Sequence, residues 1–319
     1  MEQDDDASGD VTGLSLAEAA ERIAARDDRP DEATVRTVLA EVAIDRIVSE
    51  DMITELESDT SLAVSNAENR AEFAAMRVDE VEAAAADAPD LETIRARLEG
   101  FGARAESVET RARDLADRLH ELIHRREYSD SVFEYVRDLR DLGQEADTLH
   151  GDAQQLASDA DEFERWLDGH ATRVAGLSAD VNAISAAFDD LEAAADRLEA
   201  PAVIGADEPD PATQWFAVTQ RQRVNELVLA DARTELADVR TWADREGEDT
   251  AELDEIADRL DALESRRERL GERLEDLARP AWRDQYGDAV SAVETTLAEF
   301  EPPVDFGAVQ AALDDHGSE

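Results

Sequence analysis

From Leu91 onward, apolar side chains recur at alternating steps of three and four residues: Leu91, Ile94, Leu98, Phe101, Ala105, Val108, Ala112, Leu115, Leu119 and Leu122. Positions at that spacing share one helix face and form a coiled-coil seam. The frame breaks across His124 to Asp130, and Ser131 with Glu134 has the form of a capping box, so a new helix is predicted from there. Its seam is longer, running from Val132, Tyr135, Leu139 and Leu142 through to Leu191, Ala195 and Leu198. Nineteen of its twenty positions are apolar, the exception being His170. Gly143, Gly151, Gly169 and Gly176 mark bend points along it.

Beyond a Pro-punctuated acidic linker, a third seam runs through about Ala212 to Glu246, with Gln222 and Asn225 as polar exceptions. Gly247 to Asp249 read as a turn, and Asp249 with Glu252 opens the next helix, marked by Leu253, Ile256, Leu260, Leu263, Arg267, Leu270, Leu274 and Leu277. Two arms of similar length joined by a short loop predict an antiparallel hairpin. A further helix spans about Ala281 to Phe300, and a short one lies near Val304–Leu313.

Upstream of Leu91 the pattern is less regular. Ser15 with Glu18 caps a helix to about Arg26, Asp27 to Pro30 make a turn, and a second helix follows from Asp31 to about Ala43. Ser49 caps a third helix through Leu56, and Ser65 with Glu68 caps a fourth running to Ala88. Arg46 to Ser49 is the one short strand candidate. All eight prolines fall between helical segments, where their missing N–H does no damage.

The predicted fold class is therefore all-α, a small N-terminal helical module followed by long antiparallel coiled-coil or helical-bundle segments. Residues 1–13 read as an acidic disordered tail and 14–88 as the small module. Residues 89–200 form long coiled-coil helices with a break near 124–131, followed by the linker 201–211. A helical hairpin plus a third helix occupies 212–300, and 301–319 holds a short helix and tail.

The flanks of the seams decide between a zipper and a bundle. In a parallel homodimer Asp159 would face Glu164, which repels, and Val136, Ala157, Ala171, Ala187 and Ala194 widen the apolar face beyond the seam. Trp166 lies at a g position, beside the seam. A widened face suits a three- or four-helix bundle, so an intramolecular bundle is favoured over self-association. The helix from Leu91 is expected to fold back on the first half of the long helix, and the 212–278 hairpin to cover the second half. Trp215, Phe216, Trp282 and Tyr286 then meet at the hairpin base as packed aromatics.

Charge changes the picture of the solvent more than that of the fold. The chain has 319 residues, 81 of them acidic and 32 basic, for a net charge of -49; every basic residue is arginine, and cysteine is absent. Without lysine there is no P-loop, Schiff-base or kinase-type ATP lysine chemistry; without cysteine there are no thiol nucleophiles, disulfides or cysteine metal sites. Such a charge repels nucleic acid and anionic membrane surfaces. It is tolerable where salt shortens the screening length, so a salt-accumulating halophile is expected. No signal peptide or membrane span is read, so a cytoplasmic protein without membrane insertion is expected.

One motif looks catalytic. His120, Glu121 and His124 spell H-E-x-x-H, in which two histidines one turn apart ligate zinc and the glutamate acts as general base. In the seam frame Leu119 is a and Leu122 is d, which puts His120 at b and His124 at f, both toward solvent. The extended metalloprotease form wants Gly and His further on, where Glu127 and Asp130 stand, and no supporting sheet is predicted. The expected reading is surface histidines, with no catalytic, cofactor or metal residue. Zinc binding through His120 and His124, with Glu121 as base, is the alternative. His170 reads as a register-setting polar core residue.

The stretch Val11 to Glu18 (VTGLSLAE), running into Arg26 to Pro30 and Asp45 to Asp51, resembles the start of a haloarchaeal family known as halo transducer proteins. The resemblance implies a helical intracellular protein tied to signalling. The Asn/Ala/Glu-rich hairpin tip and the transmembrane helices of chemotaxis receptors find no match in this sequence. The expected function is a non-enzymatic coiled-coil interaction or scaffold protein with unidentified protein partners. A zinc-dependent hydrolase and a chromosome-organising accessory protein are the alternatives.

Overall fold

Ser15 caps α1 (Leu16–Ala24) with the reciprocal bonds of a capping box, its hydroxyl facing the Glu18 amide and Glu18 reaching back to Ser15. The computed structural model describes residues 11–25, 31–126, 131–199 and 210–317. The turn read over Asp27 to Pro30 and most of the acidic tail lie outside them. Asp31 caps α2 (Glu32–Leu39) through the Ala33 and Thr34 amides. The second helix was expected to reach Ala43; it instead tightens into a 3-10 turn over Ala40–Val42.

A two-stranded antiparallel ribbon follows, β1 (Ala43–Ile44) and β2 (Ile47–Val48), with Ile44 opposite Ile47. Asp45 and Arg46 both hold positive φ, the geometry that lets a two-residue turn match the strand twist. The amide of Gly13 donates to the Val48 carbonyl at 2.8 Å, and Val11 is fully buried. Residues 11–13, expected in a disordered tail, thus belong to the folded module.

The third and fourth helices of the expected module are one element, α3 (Glu50–Ala85), with Ser65 in its interior rather than at a cap. The remaining elements are α4 (Glu92–Arg126), α5 (Val132–Asp168), α6 (His170–Glu199), α7 (Pro211–Glu246), α8 (Ala251–Leu277), α9 (Pro280–Leu297) and α10 (Phe306–Gly317). Of the four glycines expected to bend the long helix, only Gly169 interrupts it; Gly143, Gly151 and Gly176 lie inside helices. Residues 127–130 and 200–209, where the coil break and most of the linker were read, are not described. Pro211, assigned to the linker, is the first residue of α7, where its lost N–H is harmless. The fold is all-α apart from the ribbon. No helix of the described residues is long and apolar enough to cross a membrane.

The chain forms two units. The first comprises Met1–Val81 with Phe101–Asp161. Here α4 runs antiparallel to α5, and the seams expected to meet are buried, with Leu115, Leu119 and Leu122 on α4 and Leu139, Leu142 and Leu149 on α5. A ladder of ion pairs fixes the direction: Arg104 with Asp159 at 2.8 Å, Arg111 with Asp152 at 2.7 Å, Arg118 with Glu145 at 2.5 Å. Each seven-residue step along α4 meets a seven-residue step back along α5, and all six residues occupy g positions. Facing g positions are the signature of antiparallel packing, since a parallel pair sets g against e.

In the same unit α3 packs on α5 through Thr60, whose hydroxyl bonds the Leu139 carbonyl at 3.4 Å. Its buried face is regular but small: Thr60, Val64, Ala67, Ala71, Ala74 and Val78. At one end Glu57 of α3 accepts from the Tyr135 hydroxyl at 2.7 Å and from Arg126, so one carboxylate ties three helices. Burial and the Glu57 carboxylate push the Tyr135 hydroxyl well above the usual range for a phenol.

The second unit comprises Glu82–Gly100 with Glu162–Glu319. Arg233 meets Asp261 at 2.8 Å and Arg240 meets Asp254 at 2.6 Å, so α7 and α8 form the expected antiparallel hairpin. Between α6 and α8 the ladder runs in parallel. Arg259 bonds Asn182 at 2.5 Å, Arg266 pairs with Asp189 at 2.7 Å, and Arg273 pairs with Asp196 at 2.6 Å. The aromatics meet as expected, Trp215 with Trp282 at 6.3 Å and Phe216 stacked on Tyr286 at 4.9 Å. A satellite core of Leu227, Val293, Leu297, Val309 and Leu313 seats α10.

Candidate functional site

His120, Glu121 and His124 are all exposed on α4, on the side the seam frame assigned to them. Glu121 lines a shallow groove with Arg118, Arg125, Asp138 and Glu145, and neither histidine joins it. Among the described residues, no group of three His, Cys, Asp or Glu side chains is placed to hold a metal ion.

The most unusual chemistry lies in the second unit, at the helix break. Gly169 lets α5 stop at Asp168 and α6 start at His170, which leaves the last α5 carbonyls without helical partners. Arg173 fills that gap. It is fully buried, one guanidinium nitrogen donates to the Leu167 carbonyl at 3.1 Å, and another pairs with Glu246 of α7. The plane lies 3.8 Å from the centre of the Trp242 ring. Burial lowers the Arg173 pKa, which the Glu246 carboxylate partly offsets. His170, expected on the seam, is the first residue of α6 and sits 3.2 Å from the Asp249 carbonyl. It therefore closes the hairpin end and does not set a register.

Trp242 continues into a stack. Its ring meets the edge of Trp166 at 5.7 Å, and Trp166 stacks on Phe163 at 5.4 Å. Arg97 then lies 4.8 Å over Trp166 and 5.4 Å over Phe163. Cations over indole faces are drawn by the ring quadrupole, more strongly where water is excluded. Arg97 also pairs at 2.9 Å with Glu235, whose side chain is only 8% exposed. Burial pushes the Glu235 carboxyl up, the Arg97 cation opposes that, and the charges of Asp180 and Asp231 add to it. Burial also raises Asp231, which accepts from the Val304 amide at 2.8 Å.

The stack occupies its groups with one another. Two guanidiniums, two indoles and two carboxylates pack against one another in the core, with Arg173 Nε, Trp166 Nε1 and one Glu235 oxygen making no hydrogen bond among the described residues, an arrangement that suits holding a helix break. Sequence reasoning missed Arg173 and read Trp166 as merely beside the seam. Both are g positions one heptad apart, and an arginine at g looks like a surface residue. A groove of about 580 Å³ lies elsewhere in this unit, floored by Ala187, Ala194, Val218 and Leu313 and rimmed by Arg197 and Arg221. Neither rim arginine makes an ion pair among the described residues. No family model, no curated protein and no solved structure matches this chain.

Proposed function

We propose that the chain is a non-enzymatic coiled-coil interaction or scaffold protein of a salt-accumulating haloarchaeon, cytoplasmic and associated with signalling. The observation that carries this reading is the use made of the helices. Their seams are consumed in two bundles held in register by arginine–carboxylate ladders, and what remains for function is outward helix face and groove. The resemblance of residues 11–51 to halo transducer proteins supports the cellular setting. Affinity capture in multi-molar KCl is the test. A reproducible protein partner is expected, and repeated capture of nothing, a second copy included, overturns the reading.

Metal analysis of the untagged protein addresses the H-E-x-x-H segment. Zinc below stoichiometry is expected. One zinc per chain that disappears in His120→Ala would make the hydrolase reading the better one.

A further inference from the structure

Helix α3 carries a second seam on the face opposite its buried one. Leu62, Asn66, Asn69, Phe73 and Met76 follow the same alternating steps of three and four, and all five are exposed. Leu62 is 60% exposed, Phe73 40% and Met76 46%; they make up three of the six large apolar side chains standing exposed among the described residues. None of the five carries a charge, in a chain of net -49 that otherwise turns carboxylates outward. The stripe runs about 21 Å at 1.5 Å per residue.

We propose that this face binds a second copy of the chain, with the two α3 helices packed antiparallel. Leu62 of each copy then faces Phe73 of the other, and Asn66 faces Asn69. The alignment follows from comparing registers. In an antiparallel seam each a position meets a d position. Taking Asn66 and Phe73 as a, and Leu62, Asn69 and Met76 as d, the alignment centred between Ala67 and Glu68 matches apolar with apolar and amide with amide in four consecutive layers.

Its flanks set Ser65 against Glu72 and Ala63 against Arg70, so no like charges face each other there. A one-heptad shift in one direction puts Leu62 against Glu80 and Asn66 against Met76, and sets Arg70 against Arg70 and Glu72 against Glu72. The opposite shift puts Phe73 against Glu55 and Leu62 against Asn66. Beyond the stripe the favoured alignment sets Asp59 against Met76 and leaves two like-charge layers, Glu55 against Glu80 at each end, whereas a parallel pair has three, stacking Glu55, Asp59 and Glu80 each on its own copy. Facing asparagines within an apolar seam fix register and orientation, because misalignment strands their amides. Arg70, over the Phe73 ring at 5.3 Å, shields the flank of that layer. This self-association goes beyond the scaffold reading and holds whatever else the chain binds.

Light scattering coupled to size exclusion in multi-molar KCl tests it on the full chain. A dimer mass is expected, halved in Phe73→Glu with helical content unchanged. The absence of native cysteine allows a second, geometric measurement. Mixing an Asn66→Cys protein with an Asn69→Cys protein under mild oxidation should give several-fold more covalent dimer than either alone. A wild-type monomer up to the highest concentration reached, a dimer that survives Phe73→Glu, or like-with-like cross-links as abundant as the mixed one overturns the proposal.

Discussion

The guanidinium of Arg173 lies 3.8 Å above the ring of Trp242 and reaches past it to the Leu167 carbonyl on the far side of the helix break. One side chain therefore supplies a donor to one of the carbonyls that the break at Gly169 leaves open. Lysine offers neither the plane for stacking nor two donors at fixed spacing. Arg173→Lys is expected to lower stability by about 2 kcal/mol while leaving helical content intact. Thermal melts followed by circular dichroism in high salt measure it, and a variant as stable as wild type would show that the stack is incidental.

Glu235 predicts a direction with pH. Burial raises its carboxyl in the folded chain, so the fold favours the protonated form. The stability this contributes is fully present below the unfolded carboxyl pKa and is lost as pH rises through the raised folded value. Glu235→Gln removes that slope. Urea midpoints measured from mild acid to neutral pH should fall for wild type relative to the variant as pH rises; parallel curves would contradict the burial of this charge.

The α4–α5 ladder predicts a small, exchangeable effect. Arg118 holds the Glu145 carboxyl below the usual range, chiefly through their hydrogen bonds, yet both side chains are nearly half exposed. Arg118→Glu should cost about 0.5 kcal/mol in dilute buffer and less in molar salt. Adding Glu145→Arg should restore the loss. A double-mutant cycle at two salt concentrations checks both statements.

Gln222 is 1% exposed on the inner face of α7, and its amide nitrogen has no partner among the described residues. It points toward Gly271 of α8, where a Cβ would lie 3.5 Å away. Gln222→Leu keeps similar bulk and removes a buried, unsatisfied donor, so a gain of about 1 kcal/mol is expected in the melting transition. Destabilisation would mean that the amide is satisfied in solution.

The seams rich in leucine were legible from spacing alone: α4, α5, α6 and α8 lie where their apolar steps put them. Helix α3 was not, for a physical reason. Its buried face is built from Ala67, Ala71 and Ala74, which allow close approach but carry little hydrophobic contrast, while Leu62, Phe73 and Met76 point outward. The larger residues thus advertised the wrong face. The ribbon turn hid for a related reason, since Asp45 and Arg46 take a left-handed backbone usually marked by Asn-Gly. At the candidate site, the frame placed His120 and His124 outward but could not reveal Arg173. Three-helix packing buries a g flank that a two-stranded seam leaves wet.

The ladders repeat every seven residues, so a chain that closes one heptad out of step can rebuild most rungs. Arg111 would meet Glu145, and Arg104 would meet Asp152, after a slide of about 10 Å. Errors of assembly in such a bundle come in discrete steps, each a metastable stop that keeps its rungs, since Asp138 stands a heptad before Glu145 to take Arg118. The irregular residues, Gln222 opposite Gly271 and Arg173 at the break, occur once each and have no counterpart a heptad away. In the second unit they make the correct step distinguishable from its neighbours.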